Sequence, residues 1–423
     1  MFSPSHYSRA VSPLHLIAFV IALFPVLAAA QAKQVLTPPT SIFSKIRTER
    51  LPQPLAELGR QVFFDLSLSE PAGTACASCH DPARAFSGDN GSGIGVARGS
   101  RPTAMGLRNS PGLTYLSRVP ALGMTTNEDG DQVRVGGLFW DGRANSLEEQ
   151  AAGPLFTAHE MNLKDREALA SKVVAAPYAN LIKQIFGPDA LDKPDSILQA
   201  LTTSLGAFER SAVFAPFSSK FDAVVRGQAE FTEQEERGLT LFTIAQKGNC
   251  HSCHSVDIDS KEPRDSLFTN FQYHALGVPR NTELPATRDT EYFDLGLCQT
   301  LRERDVAGAE SQCGFFRVPT LRNVALTAPY MHNGKFKTLR EAVAFYATRD
   351  TNPELWYPDA DSKFNDLPSE FRKNVDRKTR PYHRKQGKRP ALKDEEVDDI
   401  VAFLQTLTDG YKRAAPAKSE KSE

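Results

Sequence analysis

The five-residue pattern Cys-x-x-Cys-His occurs twice, as Cys76-Ala77-Ser78-Cys79-His80 and as Cys250-His251-Ser252-Cys253-His254. Two thiols one helical turn apart can add to the two vinyl groups of a haem, and the adjacent imidazole is then held under the iron. With 6 Cys and 9 His in 423 residues, chance supplies on the order of 0.002 such patterns per chain. Zinc would need four ligands converging on one ion, whereas one pair ends at Cys79 and the next begins at Cys250. A disulfide or thioredoxin-like pair would not require a histidine after each. Two covalently bound haem c groups are therefore expected, one on Cys76, Cys79 and His80, the other on Cys250, Cys253 and His254.

The surroundings of the two motifs repeat. Leu55-x-x-Leu58-Gly59-x-x-Val62-Phe63 has helical spacing and leads into the first motif. Thr232-x-x-Glu235 is a capping box that opens a helix through Gly238-x-x-Leu241-Phe242, leading into the second. Each half closes on an apolar stripe: Ile197, Leu201, Leu205 and Phe208 in one, Val397, Ile400, Val401, Leu404 and Leu407 in the other. No stretch shows sustained period-2 alternation, and Gly/Pro/Asn-rich stretches such as 87–112 read as loops. These patterns predict a mainly α chain of two tandem units, 33–220 and 221–412, with the boundary near Pro216 to Ala229.

Composition excludes several classes. Hydrophobic residues make up 40% and charged residues 24%, which argues against disorder over most of the length and against a membrane bundle. Fifty Lys+Arg against 51 Asp+Glu leave a net charge of -1, without the basic excess of a nucleic-acid binder. Residues 1–32 read as a signal peptide: Arg9, an apolar run from Leu14 to Val26 broken by His15 and Pro25, then small residues offering cleavage after Ala30 or Ala32. As an uncleaved anchor the run is short, since a span takes about 20 residues. The expected location is the periplasm, which suits c-type attachment. In an exported chain the remaining pair, Cys298 and Cys313, favours a loop-closing disulfide over two free thiols. The tail 413–423 reads as disordered.

Beyond the haem motifs, three segments carry a resemblance. They are Phe139-Trp140-Asp141-Gly142-Arg143-Ala144-x-Ser146-Leu147-Glu148-Glu149-Gln150-Ala151-x-Gly153-Pro154 with Glu160-Met161, Val318-Pro319-Thr320-Leu321-Arg322-Asn323-Val324-Ala325-x-Thr327-Ala328-Pro329-Tyr330, and Phe63-Phe64-Asp65. Together they resemble bacterial di-haem cytochrome c peroxidases and MauG over roughly residues 50–410. The resemblance implies two cytochrome c-like domains with long loops, with the haems on either side of the domain interface and the N-terminal haem as the peroxide site. It implies catalytic roles for Gln150 and Glu160 on the distal side, Pro154 near the iron, and Trp140 between the haems. A carboxylate beside bound peroxide can move a proton from the inner to the outer oxygen. Ser146-x-x-Glu149 caps the helix that carries Gln150, and Pro154 is expected to end it. Read without the resemblance, Glu160 is a solvated carboxylate and Trp140 a core aromatic. His159 has no counterpart in the pattern. The resemblance also implies one calcium, held by the Asn109 side chain and the carbonyls of Thr327 and Pro329.

Two departures from the usual peroxidase pattern bear on chemistry. Residues 81–139 contain no His, so the blocking ligand of the first iron is missing; Met105 and Met124 are the remaining candidates, and an open iron is expected. On the second haem the position usually held by Met is Tyr346, as in MauG, and a phenolate favours the oxidised metal. Met331 and His332 are rival ligands, and a core aromatic is the structural alternative for Tyr346. The resemblance thus points to an oxidoreductase that uses hydrogen peroxide on a protein partner, nearer MauG in its ligands. One alternative is a peroxidase removing peroxide with electrons from a small cytochrome c or cupredoxin; another, of a different class, is a non-enzymatic electron carrier. The segment 347–390, with Trp356-Tyr357-Pro358 and a basic run from Arg377 to Arg389, exceeds the minimal core and reads either as a partner-docking surface or as a solvated loop.

Overall fold

The computed structural model describes residues 42–413 apart from 49, 128, 360 and 361, so the expected signal peptide and all but the first residue of the expected tail lie outside the described residues. Helices dominate. The first half contains α1 (Pro54–Phe63), α2 (Cys76–Cys79), α3 (Leu147–Phe156), α4 (Arg166–Val174), α5 (Ala179–Phe186) and α6 (Pro194–Glu209). The second contains α7 (Lys220–Val225), α8 (Glu233–Thr243), α9 (Leu297–Glu303), α10 (Leu339–Thr348) and α11 (Asp394–Gln405). Four short strands form two antiparallel pairs: β1 (Gly123–Thr126) with β2 (Gln132–Val135), Gly123 opposite Val135, and β3 (Tyr273–His274) with β4 (Phe316–Arg317).

Local chemistry explains the helix starts. Pro54 and Pro194 occupy the first turns of α1 and α6, where a missing N–H costs nothing. Thr232 and Glu235 form the expected capping box on α8, and Thr338 with Glu341 forms another on α10.

The two halves are built on the same crossing. In the first, α1 lies against α6 with Gly59 at the contact, where a Cβ would sit 1.9 Å from the Ser204 carbonyl oxygen and 2.8 Å from the Phe208 Cβ. In the second, α8 lies against α11 through Gly238, where a Cβ would sit 2.1 Å from the Asp399 carbonyl oxygen and 2.7 Å from the Phe403 Cβ. Each crossing carries an aromatic knot. Phe63 meets Phe208 at 5.4 Å and Phe86 at 5.9 Å between ring centroids; Phe242 meets Phe403 at 5.4 Å and Phe268 at 6.1 Å. The predicted stripes are the buried faces of α6 and α11, with Val401 alone half-exposed and Leu407 buried just past the end of α11. The core accordingly has two large clusters among the described residues, one centred on Phe63, Phe86 and Phe208 and the other on Phe242, Phe268 and Phe403, with a small third one of Tyr273, Leu297, Leu301 and Ala309.

The halves are tied together by buried polar groups. Arg108 reaches Asp141 in its own half at 2.6 Å and Asp294 in the other at 2.6 Å. Tyr115 donates its hydroxyl to Asp409 at 2.8 Å, and Asp409 also accepts from Asn323. Cys298 and Cys313 are joined as a disulfide.

Because the glycines allow backbone-to-backbone approach, Gly59→Ala or Gly238→Ala is expected to force the helices apart and cost about 1–3 kcal/mol or more. Thermal unfolding of each variant, read at its own haem band, measures the loss.

Candidate functional site

Each haem-motif histidine is held in the same way. His80 Nδ1 lies 2.9 Å from the Phe86 carbonyl oxygen, and His254 Nδ1 lies 3.0 Å from that of Phe268. An Nδ1–H donated to a carbonyl leaves Nε2 free as an iron ligand and fixes the ring plane. Phe86 and Phe268 both have φ in the left-handed region, +58° and +55°, and both are fully buried. Burial pulls both imidazole pKa values down, His254 to about 4, so each ring is neutral and able to ligate. The four motif cysteines are free, and burial holds them as thiols, with Cys76, Cys79 and Cys250 pushed up to about 12.

Beside the second motif is a cavity of about 230 Å³. Cys250, Cys253, His254 and Tyr346 all line it, as do Met331 and His332. The two rivals are placed differently from Tyr346. His332 is stacked on Phe316 at 3.6 Å, with Nε2 3.5 Å from Asp366. Tyr346 has no hydrogen bond from its hydroxyl among the described residues, and burial raises its pKa, so the phenol stays protonated until a cation competes for its oxygen.

A buried cation completes this wall. Arg317 is only 6% exposed and forms no ion pair among the described residues; its Nε donates to the Phe139 carbonyl at 3.3 Å, and burial lowers its pKa. A desolvated guanidinium lacking an anion is expensive. A haem, which carries two carboxylates, would supply one. Free thiols, a fixed imidazole, a phenol and an unpaired guanidinium around one cavity fit a haem c.

Trp140 shares the same wall with Asn109, Thr327 and Pro329. Its Nε1–H donates to the Asn109 carbonyl at 2.8 Å. The Asn109 side-chain nitrogen lies 2.7 Å from the Pro329 carbonyl, so two of the expected calcium ligands are neighbours, here joined by a hydrogen bond.

Gln150, Pro154 and Glu160 lie apart from that cavity, on α3 and the loop after it. Ser146 caps α3 by accepting from the Glu149 N–H at 3.1 Å. Pro154 sits inside the last turn of α3 rather than ending it, because its ring denies only the Gln150 carbonyl a partner and the helix runs on to Phe156. The following turn closes back on it, with Met161 N donating to the Pro154 carbonyl at 3.1 Å. The Glu160 charge adds to the burial that raises the Cys79 pKa; burial raises the Glu160 pKa in turn and the Arg143 guanidinium partly opposes this. The same Arg143, with burial as the larger cause, lowers the pKa of His159. Gln150 is half-buried, with no side-chain hydrogen bond among the described residues.

Sequence reasoning missed four groups. Arg317 precedes the Val318-Pro319 motif and carries no local signal. Tyr382, inside the basic run, is buried and lines the second cavity with its ring 6.2 Å from that of Tyr346. His274 Nε2 lies 3.4 Å from Cys253 Sγ. Glu209, at the end of α6, is buried near Cys76, and its Oε2 has no partner among the described residues.

Burial pushes the Glu209 carboxyl from 4.5 up to about 8; Arg210 opposes this and Glu148 adds to it. A raised carboxyl contributes stability below the unfolded value that is lost as pH rises through the folded one. Glu209→Gln is therefore expected to gain Tm over the wild type as pH rises from about 4.5 to about 8, measured by calorimetry across that window.

Comparison with known proteins follows the same division. The family model for di-haem cytochrome c peroxidase matches residues 53–230, and the cytochrome c model matches residues 235–408. The methylamine utilization protein MauG of Paracoccus denitrificans (strain Pd 1222) is 38% identical over 367 residues, covering 84% of this chain and 88% of that protein. The cytochrome c551 peroxidase of Nitrosomonas europaea is 32% identical over 359 residues, covering 84% and 80%. The crystal structure of the diheme peroxidase BthA from Burkholderia thailandensis E264 superposes with a TM-score of 0.81 at 44% identity, covering 85% of this chain and 87% of that one.

Proposed function

The chain belongs to the di-haem cytochrome c peroxidase/MauG family, and on that premise we propose that it is a periplasmic enzyme that uses hydrogen peroxide at its N-terminal haem site to oxidise a protein partner. Bound haem supplies iron able to exchange electrons with peroxide. The chain's own residues supply position and protons. His80 and His254, each locked through Nδ1, would hold the two irons through Nε2. Tyr346 would offer its phenol oxygen to the second iron, and Arg317 would hold a haem carboxylate.

The observation that carries the reading is Glu160. It is a carboxyl desolvated enough to keep its proton above the usual carboxylate range, on a turn closed onto Pro154, and its charge is felt by Cys79. Such a group holds a proton for the departing oxygen of peroxide and takes one back afterwards. Gln150, one α3 turn from Pro154, orients the peroxide by hydrogen bonding. Residues 81–139 have no histidine to block that site. Trp140, fixed by its bond to Asn109, is an oxidisable ring on the wall of the second site. A calcium shared by Asn109, Thr327 and Pro329 fits if the Asn109 amide turns to present its oxygen, which exchanges two atoms of similar size.

Electron paramagnetic resonance of the oxidised protein tests this reading. One high-spin and one low-spin ferric signal are expected, both lost on adding one equivalent of peroxide without prior reduction. Two low-spin signals that ignore peroxide until one electron is added would indicate a reductively activated peroxidase, and inertness even then a carrier. Glu160→Gln is expected to slow the peroxide reaction by about 10²-fold or more while leaving both ferric signals in place.

A further inference from the structure

We propose that residues 377–389 form a basic docking rim for an acidic redox protein at the mouth of the second haem cavity. The proposal rests on the reading above that a protein partner exchanges electrons with the bound haems. Seven of these residues are Lys or Arg and none is Asp or Glu. Arg377, Lys378, Arg380, Lys385, Lys388 and Arg389 are exposed, and Arg384 is half-buried. None of the seven forms an ion pair among the described residues. The adjoining acid, Asp376, is already engaged by the backbone N–H groups of Lys378 and Thr379. In a chain of net charge -1, this is a local concentration of cations rather than a property of the whole surface.

The run is fastened to the haem-attachment turn. Asn249 donates to the Arg380 carbonyl at 2.8 Å, Arg384 donates to the Gln246 carbonyl at 3.2 Å, and Gly387 N donates to Thr351 at 2.9 Å. Asn249 immediately precedes Cys250 and Gln246 lies four residues before it, so the basic run is fastened to the segment that carries the attachment cysteines. Thr379, Arg380, Pro381 and Tyr382 line the cavity itself. Tyr382 turns inward, with the Arg349 guanidinium 3.8 Å from its ring centre and the Tyr346 ring beyond it. Ile244, 38% exposed, puts an apolar residue on the same turn as Gln246 and Asn249. A cationic rim around an apolar point and a redox cavity suits a protein that must approach closely enough to transfer an electron; a lipid or nucleic-acid surface has none to give.

The partner loses one electron per encounter. Two encounters, with two protons, balance the reduction of one hydrogen peroxide to two waters. Rim charges act mainly on encounter rate and its salt dependence, and steering of this kind raises association about 10- to 10³-fold.

The test uses the holoenzyme and a triple variant, Lys385→Glu, Lys388→Glu and Arg389→Glu, with the neutral Gln triple variant as a second series. The probe is a reduced cupredoxin of net negative charge, with hydroquinone as an uncharged donor. The expected result is a fall of about tenfold or more in the cupredoxin association rate at low salt, an intermediate fall for the Gln series, convergence at high salt, and unchanged hydroquinone oxidation. Unchanged association in both series would overturn the proposal. So would equal loss with hydroquinone in both series, or an effect confined to phosphatidylglycerol vesicles. Charge-dependent cupredoxin binding by a protein inert to peroxide would leave the docking rim standing and refute the peroxidase reading instead.

Discussion

A hydrogen bond from an imidazole Nδ1 to a main-chain carbonyl, made once by His80 to Phe86 and once by His254 to Phe268, is the constraint on which both haem sites depend. It is demanding because the accepting residue is a phenylalanine in left-handed backbone, a conformation that costs of order 1 kcal/mol or more for a side-chain-bearing residue. That cost is offset only where the ring is buried on every side. Phe86 stacks on Phe214 at 4.2 Å and meets Phe63; Phe268 meets Phe221 at 4.9 Å and Phe242. Phe63 and Phe242 can occupy those positions because Gly59 and Gly238 bring α1 onto α6 and α8 onto α11 without a Cβ between them. The helix crossing, the aromatic knot and the fixed histidine are thus one device used twice.

What joins the copies is polar. Tyr115 donates to Asp409 across the halves, and Arg108 bridges Asp141 to Asp294. Buried ion pairs add little net stability but penalise any other arrangement, since parting them leaves an uncompensated charge. Asp141 follows Trp140 directly, and the Arg317 N–H donates to the Trp140 carbonyl at 2.9 Å. Trp140 is therefore held from both halves, its indole by Asn109 and its main-chain carbonyl by Arg317.

Local signals in the sequence were legible where the chemistry is itself local. Cys-x-x-Cys-His, the Thr232 box and the stripes of α6 and α11 each span a few turns, and the structure keeps them as read. Tyr346 was legible as one face of α10, through Leu339 and Val343. Arg317 and Tyr382 were not, because a guanidinium without an anion or a phenol inside a basic run is visible only once distant segments pack. Pro154 misled for the opposite reason: a proline near a helix end looks like a stop, yet in the last turn it removes a bond that the chain can spare.

The duplicated scaffold also explains how the two sites came to differ. The helix crossing, the aromatic knot and the histidine bond recur in both halves, so the two sites differ in the groups placed around them. Near the first motif these are carboxyls, Glu160 and Glu209, raised in pKa by burial. Around the second they are cations and phenols, Arg317, Arg349, Tyr346 and Tyr382. Neutral acids can hand over protons, whereas a buried guanidinium calls for an anionic partner and a phenol offers an oxygen to a cation. One frame therefore carries two differently charged environments, and it does so without altering the histidine bond that recurs in both.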